Sequence, residues 1–153
     1  MAPSIPDRLE KKIVLRAPRE RVWRALSNAE EFGAWFGADL RGVTFAPGQT
    51  ARGQVTHPGY EHLTLEVVIE RMEEGRLMSW RWHPGAVDVK EVADEPMTLV
   101  VFELSDVPEG TLLTVTESGF DKVPAARRQA AFRDNEGGWT EQMKNIERHV
   151  GGK

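Results

Sequence analysis

Hydrophobic and polar positions change their period several times along the chain, and each change predicts an element. Across residues 9–17 they alternate, with Ile13, Leu15 and Ala17 on one face and Lys12 and Arg16 on the other, the pattern of a half-buried strand. Pro18 then stands where the first turn of a helix tolerates it, and Val22, Trp23 and Leu26 follow at helical spacing. Asn28 with Glu31 has the form of a capping box. It opens a second short helix, with Phe32, Trp35 and Phe36 on one side and Gly37 as its stop. From there to residue 118 the pattern is strand and turn. Breakers at Pro47-Gly48, Pro58-Gly59, Glu74-Gly75, Pro84-Gly85 and Pro108-Glu109-Gly110 separate the segments 39–46, 49–57, 62–72, 76–83, 97–107 and 111–118. Their short connections predict sequential antiparallel hairpins, except for a longer acidic loop at 84–96. The last stretch, 124–150, reads as one helix with Phe132, Trp139, Met143, Ile146 and Val150 on a single stripe, interrupted by Gly137-Gly138.

This order predicts an α+β fold: a curved seven-strand antiparallel sheet wrapped on a long C-terminal helix, with two short helices after strand 1. A helix of about 25 residues is ~38 Å long, enough to cover the apolar face of such a sheet. The two short helices would plug one end and leave an internal cavity. Residues 8–150 make one domain in this reading, between a loose tail at 1–7 and a frayed end at 151–153.

The register follows from matching apolar faces, since a slip of one residue reverses them. Leu63, Leu65, Val67 and Ile69 share a face, as do Met78, Trp80 and Trp82. Pairing Val67 with Trp82 and Ile69 with Trp80 calls for a two-residue loop, Glu74-Gly75. In the last hairpin Leu104 pairs with Leu113 and Phe102 with Val115, which sets Glu117 opposite Val100 on the inward face. A carboxylate there must be paired, wetted or neutral. Two readings are open for it: a strand end near Gly119 that reaches water, or the polar anchor of a ligand pocket.

Composition narrows the chemistry. With no cysteine among 153 residues, disulfides, thiolate nucleophiles and cysteine metal sites are excluded. A net charge of −4 disfavours a dedicated nucleic-acid binder. No apolar run approaches the ~20 residues of a membrane span. The first seven residues have neither the basic region nor the apolar core of a secretory leader, so a cytoplasmic protein is expected. His57, His62, His83 and Glu66 are the nearest thing to a metal cluster, but the register puts His62, Glu66 and His83 on the outer face, so no metal and no cofactor are expected. Ser79 and Ser118 lack a nucleophile context, and Gly48, Gly53 and Gly59 read as turn glycines rather than a phosphate loop. Arg127, Arg128 and Arg133 read as a solvated helix face.

Five tryptophans in a chain with one tyrosine direct attention to the interior. The segments carrying the likeness to a known family run from Ala17-Pro18-Arg19-Glu20-Arg21-Val22-Trp23 through Trp35-Phe36, Phe45-Ala46-Pro47-Gly48 and Leu77-Met78-Ser79-Trp80-Arg81-Trp82. They end with Thr116-Glu117-Ser118-Gly119-Phe120 and Gly138-Trp139-Thr140-Glu141-Gln142-Met143. Together they resemble the family named for the C-terminal domain of the activator of Hsp90 ATPase, within the Bet v 1/START-like (SRPBCC) superfamily. The resemblance implies the helix-grip fold and a hollow between sheet and helix. The residues expected to line it are Trp35, Phe36, Leu65, Val67, Met78 and Trp80, with Trp82, Phe102, Glu117, Phe120, Trp139 and Met143.

Three functions are open on this reading. The first is binding or carriage of a small apolar ligand without covalent chemistry. The second is a cavity-based enzyme of cyclase or hydrolase type, with Glu117 as its acid or base. The third is a chaperone ATPase regulator acting by surface contact. An exposed sheet edge makes a homodimer the expected assembly if there is one.

Overall fold

The computed structural model describes residues 6–85, 88 and 90–151. The elements run β1 (Arg8–Leu15), α1 (Arg19–Ser27), α2 (Ala29–Phe36), β2 (Thr50–Gln54), β3 (Thr64–Glu73), β4 (Leu77–Trp82), β5 (Thr98–Val107) and β6 (Gly110–Ser118). A single 3-10 turn, Phe120–Lys122, leads into α3 (Ala125–Gly151). The strands form one antiparallel sheet in the order β1-β6-β5-β4-β3-β2, so the first strand closes beside the last. Residues 1–5 and 152–153, and with them most of the expected tail and frayed end, lie outside the described residues. Asp7 already belongs to the fold: its carbonyl accepts from the N–H groups of Gly119 and Phe120 at 3.1 Å each.

The sheet has six strands among the described residues, not the expected seven, because segment 39–46 is not a strand. Ala38 makes one antiparallel bridge to Val55, and the chain then turns away. The cause is local. The Asp39 side chain accepts from the backbone N–H of Arg41 and from its guanidinium, which closes an Asx-type turn where a strand would have to continue. Gly53 is likewise no turn glycine. It lies inside β2, where a Cβ would stand 2.2 Å from the carbonyl oxygen of Asp39 crossing over it.

The last hairpin has the register expected from its apolar faces, Phe102 to Val115, Leu104 to Leu113 and Val100 to Glu117. Ile69 faces Trp80 as expected, but the β3–β4 turn differs. A bulge between Ile69 and Arg71 absorbs one residue, so Glu73 pairs with Leu77 and the connection is Glu74-Gly75-Arg76.

The core is built around Phe32, which α2 inserts, fully buried, against the sheet. Its ring lies 5.3 Å from Trp80 and 6.3 Å from Phe102, both edge-on, with Trp35, Phe36 and Phe45 also in contact range. The two short helices therefore fill the hollow at their end rather than capping an empty one. Gly37, at φ 102°, ends α2 with its N–H on the carbonyl of Gly33, as its sequence position predicts.

The capping box is half formed. Asn28 accepts from the N–H of Glu31 at 2.9 Å, but the Glu31 carboxylate turns to Arg21, to Arg24 at 3.2 Å and to His149 at 2.9 Å. One carboxylate thus ties both short helices to the end of α3. Burial works against this carboxylate, but His149, Arg21 and Arg24 outweigh it and hold its pKa below the ordinary value. A depressed carboxylate contributes stability above its unfolded value near 4.5, lost as pH falls through the folded one. Glu31→Gln is expected to cost about 1 kcal/mol at neutral pH. That cost should vanish once acid protonates the carboxylate in the wild type. Urea unfolding at pH 7 and at pH 3 checks it; an equal cost at both would show the ion cluster is not responsible.

Candidate functional site: an aromatic-walled cleft over a buried carboxylate

Next to the C-terminal end of α2, the sheet and α3 part to leave an open cleft of about 510 Å³. One side is the middle of α3, including Gly137, Gly138 and Trp139. The opposite side is the start of β3 with Val55, His57 and Tyr60 before it. Phe36 and Trp82 close the inner end.

Three rings make a continuous wall. Trp82 and Trp139 lie 5.7 Å apart between centroids, and Phe36 lies 6.2 Å from the first and 6.0 Å from the second. Phe36 and Trp82 are half-buried and present ring surface to the cleft, while Trp139 is buried beside them. The Phe36 carbonyl accepts from Gln142 on α3 at 2.8 Å, which fixes the end of α2 to the helix.

Behind the wall sits Glu117, 0% exposed. Oε1 accepts from Trp139 Nε1 and Asn135 Nδ2, each at 2.9 Å. Oε2 accepts from Trp82 Nε1 at 2.8 Å, Thr98 Oγ1 at 2.5 Å and Asn135 Nδ2 at 2.9 Å. Among the described residues no Lys, Arg or His nitrogen comes within 4 Å of it. Of the two sequence readings, the water-exposed strand end is therefore not the observed one. The carboxylate is held entirely by neutral donors, and two of these are the indoles of the wall. Asn135 also accepts from the N–H of Gly85 at 3.0 Å, which joins the network to the start of the long loop. Arg127 clamps the same loop, from Nε to Glu95 and from Nη1 to the Pro84 carbonyl, so it is no solvated patch.

The twelve residues expected around a cavity divide by position. Phe36, Leu65, Trp82 and Trp139 border the cleft, and Glu117 lies behind two of them. Val67, Met78, Trp80 and Phe102 are in the closed core. Trp35 sits at the joint of α1 and α2, its indole N–H on the Ala25 carbonyl at 2.8 Å. Met143 is buried on the α3 stripe, and Phe120 packs on Phe132 at 5.0 Å. Thr98 and Asn135 were missed. Thr98 shares the inward face with Val100, and Asn135 precedes Trp139 by one helical turn, so both were within reach of the register already argued.

His57, His83 and Glu66 also reach the rim of the cleft, which corrects the expectation that His83 and Glu66 lie away from any pocket, while Glu66 keeps the expected face, opposite Leu65 and Val67. The His83 ring meets the Glu95 carbonyl at 3.0 Å, and Arg52 pairs with Glu66 at 2.5 Å. Among the described residues no three His, Asp or Glu side chains stand close enough to hold a metal ion.

The two glycines of α3 have nothing within 4 Å of where a Cβ would lie, and the helix runs through them unbroken. Gly138→Ala should therefore stabilise by about 0.4–1 kcal/mol. Gly138→Leu, which close packing would have made costly, should fold normally and fill the cleft. Chemical denaturation of both variants checks this, and a loss above about 1 kcal/mol for either would show a hidden contact.

A family model described as activator of Hsp90 ATPase homolog 1-like protein matches residues 16–151. Among solved structures, the chain is similar to protein MLL2253 of Mesorhizobium loti, with TM-score 0.73 and 23% identity over 94% of this chain and 96% of that one. It is similar also to protein CV1439 of Chromobacterium violaceum, with TM-score 0.75 and 16% identity over 97% and 100%. DynU16, from the dynemicin biosynthetic locus, matches at TM-score 0.74 and 20% identity over 97% of this chain and 48% of its own. These likenesses are of fold. No curated protein matches.

Proposed function

Starting from a chain that belongs to the activator of Hsp90 ATPase homolog 1-like family, we propose that it binds a small apolar ligand in the cleft between sheet and α3, as a carrier or sensor without covalent chemistry. The observation that carries this reading is the cleft itself. Its volume of about 510 Å³ falls within the range of small-molecule sites, and one end is a wall of three aromatic rings, two of them indoles fixed by hydrogen bonds. A wall held rigid before the ligand arrives loses little freedom on binding. Catalysis by Glu117 is the weaker reading, because both its oxygens are engaged and rings stand between it and the cleft. An acid or base must reach the proton it moves, directly or through one water.

Tryptophan emission and thermal stability, followed across a panel of aromatic and aliphatic ligands, test the proposal. Binding should shift the emission of Trp82 and Trp139 and raise the melting temperature. The Gly138→Leu variant should do neither. A panel that moves neither signal in the wild type would overturn the reading.

A further inference from the structure

We infer that the ligand of this cleft is an apolar cation: a hydrocarbon body, aromatic for preference, carrying a protonated amine or quaternary ammonium, with Glu117 as its buried counter-charge. The inference rests on the binding reading above and adds the sign of the charge.

Two independent observations carry it. The first is Glu117. Every contact to its carboxylate is a donor, the hydrogen-bond complement of the ionised form, yet no cation of the described protein lies within 4 Å. A buried negative charge without a positive partner leaves an unscreened field, and three of the groups that hold this one, Trp82, Trp139 and Asn135, border the cleft. An indole whose N–H donates to a carboxylate gains electron density, which deepens the negative potential over its face. That face is where a cation binds an aromatic ring.

The second is the lining. Glu66, Asp134 and Glu141 border the cleft, and no Lys or Arg does. Glu66 is paired with Arg52 and Glu141 with Lys144, both from outside the lining, while Asp134 has no ion-pair partner among the described residues. Of the histidines that border it, His57 precedes β3 and His83 follows β4, and the His83 ring is engaged by the Glu95 carbonyl. A fatty acid would bring its carboxylate into a cleft that offers it no guanidinium or ammonium.

The test compares three probes that share one ring system: 1-naphthylmethylammonium, 1-naphthalenemethanol and 1-naphthoate. Affinities are measured by calorimetry on the whole chain at physiological salt, where the general attraction of a protein of net charge −4 is screened beyond about 8 Å. The ammonium should bind about tenfold tighter than the alcohol, and the carboxylate weakest. Equal affinity for ammonium and alcohol, or tighter binding of the carboxylate, overturns the inference and leaves the binding function standing. No binding by any of the three, with a silent ligand panel, overturns both. Glu117→Gln should bring the ammonium's affinity close to that of the alcohol. If that variant does not fold, Trp82→Phe serves, since it keeps a ring and cuts its link to the carboxylate. An advantage unchanged in the variant measured would remove Glu117 from the account.

Discussion

Glu117→Gln is expected to destabilise the fold by about 2–4 kcal/mol at neutral pH, although it keeps the shape and removes a buried charge. The sign follows from the donor count. Two indole N–H groups, an amide and a hydroxyl converge on two oxygens, and glutamine supplies only one. If its NH2 takes the place of Oε1, Trp139 loses its acceptor. If it takes the place of Oε2, Trp82 does. Either way a buried or half-buried N–H faces another donor, at about 1–3 kcal/mol for each group left unmade. Urea unfolding of the two proteins at pH 7 decides the matter. An equally or more stable glutamine variant would mean that these donors do not require a carboxylate, and the counter-charge argument would fall with it.

The other large effect belongs to the plug. Phe32→Ala is expected to cost about 3–5 kcal/mol, because the ring is fully buried among other rings that cannot collapse onto the space it leaves. For a domain of this size that is roughly a 6–20 °C fall in melting temperature. Calorimetric melting would measure it. A loss below about 1 kcal/mol would show that α2 can repack, and that the solid end of the grip is softer than its packing indicates.

The run of sequential hairpins was legible from its short connections, and the last hairpin's register and the stripe on α3 from side-chain period, whereas nothing in the pattern placed β1 beside β6. The inward placing of Glu117 is the clearest case: two apolar pairs fixed it. What surrounds Glu117 was less legible. Its partners come from β4, β5 and α3, and only the packing of α3 across the sheet decides that Trp82 and Trp139 reach one carboxylate. Burial alone left the carboxylate paired, wetted or neutral; the neutral donors were the missing half. Segment 39–46 misled for a different reason. Leu40, Val43 and Phe45 suggest a strand, but the Asp39 side chain competes for the backbone of Arg41 and wins. The extent of the cavity was overestimated in the same way, since no period in the sequence says whether Phe32 caps a hollow or fills it.

The pairing of β1 with β6 has a consequence for synthesis. Arg8 finds its partner only at Ser118, so the strand of this sheet that is made first is among the last to be satisfied. At about 5–20 residues per second it waits on the order of 5–20 s. During that time its unpaired backbone is a template for any other strand nearby. The charges spread along it, Arg8, Glu10, Lys11 and Lys12, are the kind that discourage such pairing between chains. Neutralising Lys11 and Lys12 together should therefore lower the yield of properly folded protein far more than it lowers the stability of molecules that have already folded.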